Sequence, residues 1–152
     1  MEYSKDEAFM RAAIRLAFQA REDGNHPFGA LLVRDDKVVL TAVNSVITEN
    51  DVTHHAELNL ISEASRLFTS TELGEMILYT STEPCAMCTG AIFWAGVRKV
   101  VYGCSAEKLG ELAGGSFVVP CRHLFAFGMA ETAVVGPILE AEAVNAHLGF
   151  WQ

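Results

Sequence analysis

Two cysteines and a histidine give the strongest chemical signal in this sequence. Cys85 and Cys88 are three residues apart, directly after Pro84, and His55 precedes them. If Pro84 occupies the first turn of a helix, as proline prefers, both thiols lie on one helical face. The positive end of the helix dipole favours thiolates, which are good ligands for a borderline metal. Two thiolates and one imidazole leave the fourth position of tetrahedral Zn²⁺ open to water, as in catalytic zinc sites.

A glutamate follows the histidine at a spacing that suits proton transfer. Glu57 lies two residues after His55, so its carboxylate is expected near the metal without being a ligand. Zinc brings the pKa of its water to about 7, and a nearby carboxylate can take that proton and return it to a ring nitrogen and a leaving amine. Hydrolytic deamination needs this arrangement, because hydroxide attacks an sp² carbon that bears an amino group.

The combined pattern H-x-E…P-C-x-x-C resembles the signature of zinc-dependent nucleobase deaminases. Over nearly its whole length the chain resembles the cytidine/deoxycytidylate deaminase superfamily, and within it the bacterial guanine deaminases and tRNA adenosine deaminases. The resemblance is carried by Pro27-Phe28-Gly29-Ala30, Asn44, residues 50–57, Leu78-Tyr79-Thr80 and residues 83–91. It implies that His55, Cys85 and Cys88 bind Zn²⁺ and that Glu57 shuttles protons, with zinc-bound hydroxide as the nucleophile.

The resemblance also implies a set of substrate contacts. Asn44 is similar in place to an asparagine that hydrogen-bonds the substrate, and Phe28 to a residue that lines the base pocket. Ala56 and His54 are further candidates, and Trp151 is a candidate aromatic lid that excludes water and stacks on a base. Each has a structural alternative: Asn44 as a turn residue after a strand, Phe28 as core, His54 as a hydrogen-bonding partner and Trp151 as a frayed end.

Two departures from the D-P-T-A-H-A-E pattern of that branch bear on the assignment. Val52 replaces the proline and His54 replaces the first alanine, which puts two histidines side by side. His55 remains the predicted ligand because it keeps the two-residue spacing to Glu57. The aromatic run at residues 91–95 is closer to guanine deaminases, so guanine, giving xanthine and ammonia, is the leading substrate. The alternatives are cytosine, a nucleoside or another amino-heterocycle, then tRNA adenosine, or an interaction module with structural zinc.

Composition limits the class of protein. The 152 residues are 51% hydrophobic and 20% charged, which excludes intrinsic disorder and predicts a single deaminase domain over residues 1–152. A net charge of −8, with no basic cluster beyond Arg98-Lys99, makes nucleic acid an unlikely partner. No apolar run reaches the roughly 18 residues of a membrane span. The polar start predicts no secretory signal and a cytoplasmic location, where Cys104 and Cys121 are expected as buried free thiols.

Hydrophobic patterning predicts alternating helices and strands. Helices are expected at about 5–22, 55–67, 84–95 and 139–148, strands at 28–33, 38–43, 76–80, 97–102 and 132–135, and a long loop at 103–121. This order predicts a three-layer α/β/α sandwich with a central mixed five-stranded sheet, cytidine deaminase-like in fold. Apolar surface on the helix at 84–95 and the habit of the superfamily predict a homodimer.

Overall fold

The computed structural model describes residues 2–151, with residues 2–4 described by their backbone alone. The helices are α1 (Glu2–Glu22), α2 (Val46–Glu49), α3 (Ala56–Leu67), α4 (Ser70–Leu73), α5 (Ala86–Ala95), α6 (Ala106–Ala113), α7 (Cys121–Phe125) and α8 (Glu140–Asn145). The strands are β1 (Gly29–Arg34), β2 (Lys37–Val43), β3 (Ile77–Thr82), β4 (Lys99–Cys104) and β5 (Ala133–Val135). Within the described part of the chain, no helix combines the length and apolar character needed to cross a membrane.

The five strands form one mixed sheet, as predicted, and their order in the sheet is β2-β1-β3-β4-β5. β1 runs antiparallel to both β2 and β3, whereas β3, β4 and β5 run parallel. The parallel pairs require crossovers, and α5 connects β3 to β4 on one side of the sheet. The carboxyl end of β3 therefore leads directly into the segment that carries the two cysteines.

Helices cover both faces of the sheet, which confirms the three-layer architecture. Successive residues of β1 point to opposite faces, so Leu31 packs with α1 and α8 while Leu32 packs with α3 and α5. The α1 face buries Met10, Ala13, Tyr79, Val101 and Ala143, among others. The α3 face buries Leu60, Ala64, Leu78, Ile92 and Val100.

Helix α1 lies very close to the start of β1. A Cβ on Gly29 would lie 2.4 Å from the Leu16 Cβ and 2.7 Å from the Ala13 carbonyl oxygen. Glycine is therefore required here for the close approach of helix and strand, which fixes the position of the neighbouring Phe28.

The segment at 103–121 is not a long loop, so that prediction was wrong. β4 continues to Cys104, and the Ser105 side chain then caps α6 by accepting a hydrogen bond from the Lys108 N–H. Gly110 lies inside α6, and a Cβ there would lie 2.9 Å from a methyl carbon of Val118. That glycine disfavours a helix by propensity, but it is needed for the close contact of α6 with the segment that follows.

Pro84 also differs from expectation. It lies before the helix, because α5 begins at Ala86 and Cys85 is its N-cap residue. The two thiols nevertheless lie at the same helix end, as the three-residue spacing predicts.

Candidate active site

Three side chains that could bind a metal meet where two helices begin. His55 is the N-cap residue of α3, Cys85 is the N-cap residue of α5, and Cys88 lies in the first turn of α5. The His55 Nδ1 atom lies 3.5 Å from the Cys85 Sγ and 3.6 Å from the Cys88 Sγ. The ligand atoms of the three residues all lie within 4.8 Å of one another.

The spacing of these atoms fits zinc. Zn–N bonds of about 2.0–2.1 Å and Zn–S bonds of about 2.3 Å at a tetrahedral angle place nitrogen and sulfur about 3.6 Å apart. The separations of His55 from the two sulfurs match this value. Three protein donors leave one tetrahedral position for a water or substrate atom, which is the composition of a catalytic site.

The electrostatics of the cluster favour one thiolate. A hydrogen bond from the Cys88 thiol, together with the hydrogen bond and charge of His55, lowers the pKa of Cys85 to about 4 against the opposing effect of burial. The same hydrogen bond raises the pKa of Cys88. The hydrogen bond to Cys85 raises the pKa of His55, although burial acts in the other direction. The site is therefore prepared to hold a cation.

Glu57 lies beside this cluster with its side chain buried. It is in the first turn of α3 and only 5% exposed. Burial and the negative charge of Cys85 raise the pKa of Glu57 to about 7, while hydrogen bonding, including that of the Thr80 hydroxyl, acts in the opposite direction. A carboxyl group in this setting exchanges protons near neutral pH.

Asn44 has features of both the turn residue and the substrate contact. It is buried, and its Oδ1 accepts a hydrogen bond from the Val46 N–H at 3.0 Å. Its backbone N–H donates to the Phe28 carbonyl at 3.1 Å, which holds the two predicted pocket residues together. Within residues 2–151 the Asn44 amide nitrogen has no hydrogen-bond partner, so it is available to a ligand.

His54 is engaged away from the two thiols. Its Nδ1 pairs with the Glu49 carboxylate, and its Nε2 lies 3.2 Å from an Asp51 carboxylate oxygen. His55 is therefore the histidine whose ring nitrogen reaches the cysteines. The Ala56 side chain is fully buried in the hydrophobic core, and its role in binding substrate stays a prediction.

The end of the chain packs against the start of β1. Five rings form a cluster that we call the aromatic wall: His26, Phe28, His147, Phe150 and Trp151. The Phe28 ring packs edge-on against His147 at 5.3 Å and lies 6.1 Å from the Trp151 ring. Trp151 is therefore not a frayed end. Burial, with a smaller contribution from the charge of His55, lowers the pKa of His26.

Sequence reasoning missed three residues of this region. It assigned no role to His26 or His147, which are isolated histidines without a motif, so no local signal could have found them. It quoted Glu83 only as part of the resemblance. The Glu83 carboxylate accepts hydrogen bonds from the backbone N–H groups of Ala106 and Cys121, the first residues of α6 and α7.

A cavity of about 230 Å³ adjoins the metal cluster on the side of α6. Its lining includes Glu83, Cys85, Ala106, Leu109, Phe117 and Val118. The segment expected to be a loop is thus a folded wall beside one of the metal-binding cysteines.

Comparisons with known proteins agree with this geometry. Residues 3–104 match the family model for the cytidine and deoxycytidylate deaminase zinc-binding region. The chain is 40% identical over 152 residues to a probable cytosine deaminase of Schizosaccharomyces pombe, covering 97% of this chain and 93% of that one. It is 42% identical over 106 residues to a guanine deaminase of Bacillus subtilis, covering 69% of this chain and 68% of that one.

Solved structures show the same relationship. A guanine deaminase from Nitrosomonas europaea superposes with a TM-score of 0.77 at 25% identity, covering 92% of this chain and 81% of that one. A structure from a study of tRNA:A34 deaminases superposes with a TM-score of 0.72 at 30% identity, covering 91% and 98%. With its mixed sheet and its histidine–cysteine–cysteine cluster, the chain belongs to the zinc-binding cytidine and deoxycytidylate deaminase family and is a deaminase of the nucleobase and nucleoside class.

Proposed function

We propose that the protein hydrolyses the amino group of a free nucleobase, with His55, Cys85 and Cys88 as zinc ligands and Glu57 as the proton shuttle. The observation that carries this proposal is the convergence of the His55 nitrogen and both sulfurs within 4.8 Å, beside the buried Glu57 carboxyl group. When bound, zinc would supply an acidified water as the nucleophile. The remaining chemistry falls to the side chains of this chain.

The proposed roles follow from the position of each group. Glu57 takes one proton from the attacking water and gives it to the ring nitrogen. It then takes the second proton from the added hydroxyl group and gives it to the amine, so that the C–N bond breaks as the carbonyl forms and ammonia leaves as a neutral molecule. The free Asn44 amide nitrogen donates a hydrogen bond to a carbonyl oxygen or ring nitrogen of the base. Phe28 supports the flat face of the ring, since it is only partly buried and adjoins Asn44.

The surroundings of the site favour a free base over a polynucleotide. The aromatic wall packs on Phe28 and supplies flat apolar surfaces of the kind that pack on a free base. The net charge of −8 opposes the approach of a polyanion. Nucleic acid is therefore not the proposed substrate, although some relatives act on tRNA.

Cytosine is the first candidate and guanine, the substrate suggested by the sequence, is the second. The match to the probable cytosine deaminase covers 97% of the chain and so includes α6, which lines the cavity beside Cys85, and His147, which follows α8 and packs against Phe28. The match to the Bacillus subtilis guanine deaminase covers 69% of the chain. Guanine remains a candidate because the Nitrosomonas europaea guanine deaminase superposes over 92% of the chain.

The test is ammonia release from cytosine, guanine, adenine, their nucleosides and a tRNA anticodon stem. We expect release from a free base, and a loss of turnover of about 10²–10⁴-fold in Glu57→Gln with the zinc content unchanged. Glu63→Gln is the matched control, because Glu63 is an exposed glutamate on the same helix. Equal turnover in Glu57→Gln and the wild type would contradict the proposed mechanism, and release from RNA alone would contradict the substrate class.

We also propose that the protein is a homodimer, through apolar surface beside α5. Trp94 is 83% exposed and Phe127 is 80% exposed, and both line an apolar groove of about 260 Å³. Apolar exposure of this kind is typical of an interface. Sedimentation should show a dimer that Trp94→Glu dissociates, whereas a wild-type monomer at high concentration would contradict the proposal.

A further inference from the structure

The indole of Trp151 is held by a buried histidine. The Trp151 Nε1–H donates a hydrogen bond to His147 Nδ1 at 3.0 Å, and the two rings stack at a centroid distance of 6.2 Å with 25° between their planes. His147 is only 2% exposed, so this hydrogen bond is shielded from water on the histidine side. The contact joins the last described residue to a side chain in the interior of the protein.

The direction of the hydrogen bonds fixes the proton on His147. An indole nitrogen can only donate, so His147 Nδ1 must be the acceptor and its proton must reside on Nε2. That Nε2–H then donates to the Thr82 hydroxyl oxygen at 2.9 Å. The Thr82 hydroxyl in turn forms a hydrogen bond with the buried Cys104 thiol, which acts to lower the pKa of that thiol. Every polar atom in this chain of contacts thus has a partner.

The same contacts connect Trp151 to the strand that leads to the metal cluster. Thr82 is the last residue of β3, and Cys85 follows it shortly along the chain. The preceding residue, Ser81, accepts a hydrogen bond from the Gly29 N–H at 3.1 Å, next to Phe28. The position of the indole is therefore set by the same strand end that positions Phe28 and the cysteines.

We propose that His147 is a positioning residue that fixes the Trp151 indole as one side of the substrate site. This inference rests on the proposed function, since it gives the aromatic wall the task of holding a flat heterocycle against Phe28. Attack makes only the amino-bearing carbon tetrahedral, so most of the ring surface that packs on Trp151 changes little between the bound substrate and the transition state. This packing on Trp151 stabilises the bound substrate and the transition state about equally, so its loss should raise KM more than it lowers kcat.

The side chain at 147 can be varied without changing the zinc ligands. His147→Phe keeps a ring but removes both hydrogen bonds, whereas His147→Gln retains an acceptor and a donor and serves as the conservative rescue variant. We expect His147→Phe to raise KM about 3- to 10-fold and to leave kcat within about twofold. This effect corresponds to the loss of one ordinary hydrogen bond, the one that holds the Trp151 indole. His147→Gln should restore most of the loss.

A second variant separates the hydrogen bond from the general packing of the wall. Trp151→Phe removes the indole N–H and keeps an aromatic ring, so His147→Phe should raise KM less in this background than in the wild type. Additive effects of the two substitutions would overturn the proposal. So would an unchanged KM in His147→Phe, or a fall in kcat that accompanies a loss of zinc.

Tryptophan emission tests the positioning without any substrate. The chain has two tryptophans, so Trp94→Phe leaves Trp151 as the reporter. His147→Phe in this background should shift the emission to longer wavelength and make it more accessible to acrylamide, and His147→Gln should reverse much of the change. An unaltered emission would overturn the proposal even if no base is deaminated. Failure of the proposed function alone would instead appear as a wild type that releases no ammonia while the emission still responds.

Discussion

Replacing one carboxylate oxygen of Glu83 should weaken the protein measurably, because this side chain holds the first residues of two helices. Its Oε1 accepts the Ala106 N–H at 2.8 Å and its Oε2 accepts the Cys121 N–H at 2.6 Å. The side chain is 7% exposed, so water cannot readily replace either partner. Glu83→Gln keeps the size of the side chain but turns one acceptor into a donor that faces an N–H group.

The expected loss follows from two contributions. A hydrogen bond to a charged group contributes about 1.5–3 kcal/mol, and a buried N–H left without an acceptor costs about 1–3 kcal/mol. The two contributions overlap, because part of the lost hydrogen-bond energy is the cost of leaving the N–H group without an acceptor. We therefore expect the free energy of unfolding to fall by about 2–4 kcal/mol. The N-termini of α6 and α7 should loosen, and with them the wall of the cavity beside Cys85.

The assay is urea unfolding of the zinc-loaded protein, followed by circular dichroism. The control is Glu131→Gln, because Glu131 is exposed and its substitution should change stability little. Both variants should keep their zinc. If Glu83→Gln lowers the free energy of unfolding by no more than the control, the two backbone hydrogen bonds do not act as described and the reasoning is refuted.

Three further predictions concern packing, protonation and thiol chemistry. Gly29→Ala should lower the free energy of unfolding by about 1–3 kcal/mol, measured by thermal melting, because its Cβ would overlap α1; an unchanged melting temperature would contradict this close approach. Burial, with the charge of Arg21, lowers the pKa of His147 from 6.5 to about 4. The contribution of the neutral His147 to stability is complete above pH 6.5 and is lost as the pH falls towards 4. The free energy of unfolding should therefore drop over this range by up to about 3 kcal/mol more in the wild type than in His147→Gln. Parallel pH profiles of the two proteins would contradict this prediction. Burial raises the pKa of Cys104 to about 12, so this thiol should not react with a disulfide reagent while zinc is bound. Removal of zinc should expose Cys85 to the reagent first, as mass spectrometry of the labelled peptides can show. Prompt labelling of Cys104 in the folded protein would refute this prediction.

Two parts of the metal cluster could be predicted from local spacing, and the resemblance to zinc-dependent deaminases brought them together as one site. The three-residue spacing of Cys85 and Cys88 places both thiols at one helix end. The two-residue spacing of His55 and Glu57 places both side chains at the start of another helix. The central sheet was also predictable, since β1, β3 and β4 are short apolar runs that alternate with helical patterns. The mixed sheet and the layers of helices both follow the prediction, whereas the order of the strands was not predicted.

The surroundings of the cluster could not be predicted, because they depend on contacts between distant parts of the chain. Gly110 argues against a helix by propensity, but Ser105 and Glu83 satisfy N–H groups in the first turn of α6, and the glycine permits the close contact with Val118. His147 has no motif, and its role appears only when α8 places it beside Thr82 and Trp151. The sequence is thus informative about the chemistry of the site and much less so about its walls.

The way the chain end is attached has a consequence for how the enzyme fails. The segment after α8 is held by a few hydrogen bonds, including those from the Arg21 guanidinium to the carbonyl oxygens of Ala146 and Leu148 at 3.0 and 2.7 Å. Such a segment can detach in a local fluctuation that costs less than global unfolding. The metal cluster belongs to α3 and α5 in the interior, and would stay assembled during this event. Heating should therefore first produce a folded, zinc-loaded state that reversibly loses affinity for substrate, in which amide hydrogens of the segment after α8 exchange while those of β3 remain protected.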